Sequence, residues 1–198
     1  MKTTGKKIGL FGGTFDPVHI GHVIIAGSIL EQKNLDSVIF IPSAHPPHKD
    51  YTLMFSPDDR FRMISMAVQD DPRFAVSDIE LQRAGPSYTI DTIHEIKETL
   101  PSGTDMSFIL GMDNLHELSL WKDPHNIVRE CGLLVARRVC DQDREIPDWL
   151  KNYVEIVDVP LIEISSSDIR KRIKNGKNIR YLVPDSVLDE IEKLIRKI

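Results

Sequence analysis

The sequence predicts an α/β fold, a doubly wound parallel sheet with helices on both faces. Three observations predict it. Short apolar runs alternate with longer amphipathic patterns, which is the signature of right-handed βαβ units. The runs are near-continuous rather than alternating, as in Val38-Ile39-Phe40-Ile41 and Phe108-Ile109-Leu110, which suits strands covered on both faces. The segments rich in Gly, Pro, Ser and His fall just after the runs, where open α/β sheets bind ligands. Together these features describe a Rossmann-like architecture.

Strands are expected at Lys7–Phe11, Ser37–Ile41, Met106–Leu110, Leu133–Ala136 and Val154–Val157, with a weaker candidate at Phe74–Val76. Helices are expected at about 18–33, 57–69, 88–99, 112–129, 166–174 and 184–196. Asp16 is a good N-cap and Pro17 suits a first helical position, so the first helix should start near Val18. Ser87 is a plausible cap for the helix after Pro86. Ser165 and Asp168 fit the S-x-x-D pattern that opens a helix. Pro46 and Pro47 exclude a helix in the loop after the second strand and stiffen it.

A chain of 198 residues suits a single domain spanning 1–198, here with a helical C-terminal extension from about 165. The formal charge of −5 argues against a general nucleic-acid binder. Its distribution is uneven. Arg170, Lys171, Arg172, Lys174, Lys177 and Arg180 form a stretch without an acid, and the remaining 19 Lys and Arg face 30 Asp and Glu. A basic focus on an acidic body suits a polyanionic ligand. Cys131 and Cys140 make neither a C-x-x-C nor a metal spacing, and no apolar run is long enough to span a membrane. The apolar stretch near the N-terminus is too short for a signal peptide, so a cytoplasmic protein is expected. Trp149 and both cysteines read as structural, and a homo-oligomer is left open.

The run from Gly12 to His22, Gly-Gly-Thr-Phe-Asp-Pro-Val-His-Ile-Gly-His, is the strongest motif. It matches neither G-x-G-x-x-G nor G-x-x-x-x-G-K-[ST]. Glycines allow close backbone approach, and His19 and His22 lie three apart at a helix N-terminus, where free amides and the helix dipole favour anions. The run resembles the signature of the nucleotidylyltransferase superfamily, a (His/Thr)-x-Gly-His turn, and in particular that of the bacterial nicotinate-nucleotide adenylyltransferases. Four further stretches resemble that family in the same order. They are Pro-Pro-His-Lys49, Ser87-Tyr-Thr-Ile-Asp-Thr92, Gly111-Met-Asp113 with Trp121, and Ile164-Ser-Ser-Ser-Asp-Ile-Arg170. Ser167 stands where the family pattern has Thr or Ser. Tyr181-Leu-Val-Pro-Asp-Ser-Val also resembles the family.

Each stretch has a plainer reading beside the functional one. Ser165 and Asp168 could serve only as a cap, Trp121 only as core, Ser87 as a cap, and 42–49 as a surface loop. The resemblance implies more: adenylyl transfer from ATP to nicotinate mononucleotide, giving nicotinate adenine dinucleotide and pyrophosphate, with Mg²⁺ accompanying ATP. It places Gly12, Gly13, Thr14, Phe15, His19, His22, Gly111, Asp113, Ser166, Ser167 and Arg170 at ATP. It places Lys49, Ser87, Tyr88, Thr89 and Trp121 at the acceptor, and gives catalytic roles to His19, His22, Lys49 and Arg170. No metal site built by the protein is implied. Other acceptors remain open: nicotinamide mononucleotide, phosphopantetheine or a sugar phosphate. So does a nucleotide sensor without turnover. RNA binding through residues 170–180 is disfavoured by the acidic remainder and by the lack of a Lys-Met-Ser-Lys-Ser-like loop.

Overall fold

Apolar runs bounded by turn residues pair as expected into one six-stranded parallel sheet of order β3-β2-β1-β4-β5-β6. The computed structural model describes residues 5–46, 53–141 and 144–196. The strands are β1 (Lys7–Gly13), β2 (Ser37–Pro42), β3 (Phe74–Val76), β4 (Asp105–Gly111), β5 (Gly132–Arg137) and β6 (Val154–Asp158). Leu10 of β1 sits between Ile39 of β2 and Phe108 of β4. The chain winds outward from β1 to β3, then returns to β4 and winds the other way. The switch point therefore lies between the carboxyl ends of β1 and β4, and a crevice opens there.

The helices are α1 (Ile20–Gln32), α2 (Pro57–Val68), α3 (Ile79–Gln82), α4 (Thr89–Thr99), α5 (Met112–Glu117), α6 (Pro124–Glu130), α7 (Ser166–Lys174) and α8 (Asp185–Ile195). Successive strand residues point to opposite faces, and both faces are covered. On one, Ile29, Met63, Ile169 and Val187 from α1, α2, α7 and α8 bury Phe40, Ile109 and Leu134. On the other, Ile93, Leu115 and Ile127 from α4, α5 and α6 bury Leu10, Phe108 and Val135. The C-terminal helices thus belong to the first of these layers. Ser56 caps α2, its Oγ accepting the Asp59 N–H at 3.1 Å, and Pro57 takes the first turn.

All six expected strands are present, and β1 continues through Gly12 and Gly13. Three helix expectations need correction. The first helix starts at Ile20 with His19 as N-cap, because Asp16 is not a cap. Its buried carboxylate accepts the N–H groups of Met54 (3.0 Å) and Phe55 (3.0 Å) instead. The expected helix over 112–129 is split into α5, a 3-10 turn at Leu118–Leu120, and α6. Pro124 cannot continue a preceding helix, and Asp123 before it takes a left-handed φ of 49°. The N-cap of α4 is Tyr88 rather than Ser87, and the short α3 is additional to the expected elements. Burial pushes the Cys131 thiol up to about 12, in keeping with its structural reading. No helix among the described residues is long and apolar enough to cross a membrane.

Candidate active site

The end of β1 shows why this turn requires glycines. A Cβ on Gly12 would stand 2.8 Å from Cζ of Phe108, and one on Gly13 would stand 2.9 Å from Cζ of Phe15. Both residues are still in the strand, so the requirement is close approach to aromatic rings rather than a sharp bend. The bend comes at buried Phe15, which takes a left-handed φ of 49°. A bulky residue held there carries of order 1–3 kcal/mol of strain, a cost that persists where surrounding structure dictates the conformation. A cavity of about 430 Å³ opens above this turn. It is lined by Gly12, Gly13, Thr14 and Phe15, by His22 and Gly111, and by residues of α4 and α7.

His19 and His22 stack at the start of α1, ring centroids 3.6 Å apart and planes 24° apart. The His19 ring lies over Gly21, where a Cβ would be 3.0 Å from its Nδ1, so the residue just before His22 must be small. Burial lowers the His19 pKa to about 4. Burial, and then the neighbouring His19, hold that of His22 well below its ordinary value. Both rings are neutral at pH 7. His22 Nδ1 accepts the backbone N–H of His19 at 3.2 Å, so its proton sits on Nε2. His22 lines the cavity, and this tautomer makes it a hydrogen-bond donor.

Opposite stands the N-terminus of α7. Ser165 caps it through the Asp168 N–H (3.1 Å), as expected. The Ser166 hydroxyl donates to the Pro17 carbonyl (2.9 Å), and Arg170 donates to the Asp16 carbonyl (2.7 Å) and to Ser167 Oγ (3.1 Å). These bonds join the second phosphate motif to the first across the chain. Amides, hydroxyls and a guanidinium converge on one end of the cavity, which is an anion site in its chemistry.

At the other end, Ser87, Tyr88, Thr89 and Trp121 line the cavity with Glu80, Thr92 and Lys122. Ser87 N–H donates to the His45 carbonyl (3.0 Å), and Ser87 Oγ accepts the His45 N–H (3.1 Å). That reciprocal pair fastens the loop after β2 to the start of α4. The first turn of α4 offers amides to an anion, Thr89 being its first residue. Lys122 Nζ reaches both oxygens of Asp91 (3.0 and 3.1 Å) and lies 4.7 Å from the Tyr88 ring centroid. Trp121 meets Phe108 edge-on, centroids 6.1 Å apart.

With this geometry in place, three comparisons bear on what the chain is. The family model for cytidylyltransferase-like proteins matches residues 10–172. A probable nicotinate-nucleotide adenylyltransferase of Desulfitobacterium hafniense is 42% identical, over 95% of this chain and 94% of its own. One from Dehalococcoides mccartyi is 40% identical, over 94% and 95%. The chain belongs to the nicotinate-nucleotide adenylyltransferases of the cytidylyltransferase-like family. The fold agrees. The nicotinic acid mononucleotide adenylyltransferase of Plasmodium falciparum complexed with APC superposes with a TM-score of 0.76 at 19% identity, covering 96% of each chain.

Not every residue expected at the site of this adenylyltransferase lines the cavity. His19 is buried behind His22, and Ser167 engages Arg170. Asp113, expected at the ATP ribose, is exposed and ion-paired with Arg144 and, at 3.4 Å, with Arg138. Arg138 is itself anchored on buried Asp141 at 2.9 Å. Lys49 lies outside the described residues. Sequence reasoning missed Arg60, Glu80, Thr92 and Lys122. A signal for Arg60 was present: it shares the buried stripe of α2 with Met63, Ile64 and Val68, where a charge is out of place.

Proposed function

We propose that this adenylyltransferase transfers the adenylyl group of ATP to nicotinate mononucleotide, as a single cytoplasmic domain. The observation that carries the reading is one cavity with two unlike ends. One end gathers phosphate-binding groups (Gly13, Thr14, His22, Ser166 and Arg170), and the other pairs a helix N-terminus with the indole of Trp121. A triphosphate suits the first. An aromatic ring bearing a carboxylate suits the second, because amides at a helix N-terminus favour an anion.

In the proposed reaction an oxygen of the acceptor phosphate attacks the α-phosphorus. The bond from that phosphorus to the bridging oxygen breaks, and pyrophosphate leaves. The nucleophile arrives with the substrate, so the protein needs no reactive serine or cysteine. Its contribution is alignment and charge stabilisation. Neutral His22 donates from Nε2 to a non-bridging oxygen without being a competing acid. Arg170 clamps the outer phosphates, and His19 orients His22 through its backbone N–H. Lys49 supplies positive charge to the acceptor phosphate.

Among the described residues no group of three or more His, Cys, Asp or Glu side chains could hold a metal ion. A Mg²⁺ ion that keeps phosphate and water ligands fits such a site, with ATP oxygens as its donors. When bound it neutralises charge on the leaving pyrophosphate. The deciding experiment measures pyrophosphate release with ATP and Mg²⁺, comparing kcat/KM for nicotinate and nicotinamide mononucleotides. Nicotinate should be preferred by at least 10-fold. Equal rates would sink the acceptor assignment, and ATP binding without release for any acceptor would favour a sensor.

A further inference from the structure

Arg60 has no part in the chemistry above, yet it is fully buried, and a buried guanidinium needs partners. Its partners are backbone carbonyls from three separate segments around the cavity. Nη1 donates to the Thr14 carbonyl at 2.6 Å, Nε to the Phe55 carbonyl at 3.3 Å, and Nη2 to the Ala44 carbonyl at 3.5 Å. Thr14 belongs to the phosphate turn, Ala44 follows β2 on the acceptor side, and Phe55 precedes α2. We propose that Arg60 is a positioning residue for adenylyl transfer, setting the phosphate turn in register with the acceptor side of the cavity.

Neighbouring groups give this arrangement a reason to be charged. Burial lowers the pKa of Arg60, while Asp16 and Glu80, both buried, raise it. Asp16 carries the same connection further. It accepts the N–H groups of Met54 and Phe55, and its carbonyl accepts Arg170. Glu80 accepts the Thr92 hydroxyl at 2.7 Å in α4, beside the acceptor end. Buried Glu80, Arg60 and Asp16 thus connect the acceptor end of the cavity, which Glu80 lines, with the phosphate turn, which Asp16 follows. A guanidinium carries its donors on three separate nitrogens and so spans three carbonyls from different segments, whereas an ammonium gathers its three donors on one atom.

The proposal rests on the adenylyl-transfer reading, and the test separates the two. Arg60→Lys and Arg60→Met are assayed for pyrophosphate release per folded molecule, with folding monitored by circular dichroism. Both should lose about 10- to 100-fold in kcat, the effect of misalignment near 1 Å, with each KM within about 3-fold of the parent. Hydrogen exchange at the Met54 and Phe55 amides should accelerate at least 10-fold in Arg60→Lys. Folded variants with the parent kcat overturn the proposal. So does unchanged exchange at those amides, a readout that stands even if the parent turns over neither mononucleotide. Failure of both variants to fold at any temperature also overturns it, because Arg60 would then serve the fold alone.

Discussion

The backbone N–H of His19 donates to Nδ1 of His22 at 3.2 Å, and the two rings stack 3.6 Å apart. One residue thus sets the tautomer of the other, and burial keeps both uncharged. A neutral Nε2–H is a donor that does not first have to lose or find a proton. Replacing His22 by Ala should lower kcat by about 10²–10³-fold, the usual effect of removing one transition-state donor. The KM for ATP should change little, because several other groups bind the phosphates. Steady-state kinetics of the variant check this, and an unchanged kcat would remove His22 from the mechanism.

Burial of His19 also makes stability depend on pH. Its folded pKa of about 4 lies below the ordinary value of 6.5. Between those values the unfolded chain binds more protons, so acid favours unfolding. The contribution is intact above pH 6.5 and fades as pH falls toward 4. From pH 7 to pH 5 the loss should be about 2 kcal/mol from this residue. His19→Asn should flatten the slope of unfolding free energy against pH over this interval, measured by urea titration. An identical slope would show that His19 does not titrate between the two states.

Ser87 holds His45 through both its hydroxyl and its amide. Ser87 lines the acceptor end of the cavity, and these bonds give it a positioning task as well. Ser87→Ala should remove the side-chain acceptor of the half-buried His45 N–H, at about 0.5–1.5 kcal/mol of stability. The KM for the acceptor should rise several-fold while that for ATP stays constant. A matching rise in both would place Ser87 elsewhere in the mechanism.

These residues also show what the sequence discloses and why it stops. The strands, the β1 turn and the cap at Ser165 are local features, set by apolar runs, glycines and a single hydroxyl, and they were legible. Asp16 was misread because a carboxylate next to a proline fits a helix cap equally well. Its real partners, Met54 and Phe55, lie far along the chain. Asp113 was placed at the ribose by resemblance, and its ion pairs with arginines from the loop after β5 left no mark in the sequence. Arg60 and Glu80 acquire meaning only when distant segments meet. What escaped is tertiary pairing of polar groups, which leaves no periodicity to read.

Gly12 tests the aromatic support of the site. An Ala here places its Cβ 2.8 Å from the ring of Phe108, which is buried and has little room to retreat. Overpacking of this kind costs about 1–3 kcal/mol. Because Phe108 backs Trp121, the acceptor KM should rise more than the ATP KM. A melting curve and two substrate titrations suffice. Loss confined to ATP would show that the ring moves without disturbing the indole.

Trp121 separates ring binding from recognition of the substituent. In the proposed reaction the indole faces the pyridinium ring, which is electron-poor and positively charged, so stacking and cation–π attraction together are worth about 1–3 kcal/mol. Nicotinate and nicotinamide mononucleotides share that ring. Trp121→Ala should therefore lower kcat/KM for both acceptors by a similar factor, about 10- to 100-fold. Their ratio should hold, because discrimination would rest with the amides at the start of α4 and the charge of Lys122. Trp121→Phe should recover part of the loss for both. If the ratio collapses in Trp121→Ala, the indole itself orients the carboxylate toward the helix, and ring binding and specificity are a single interaction.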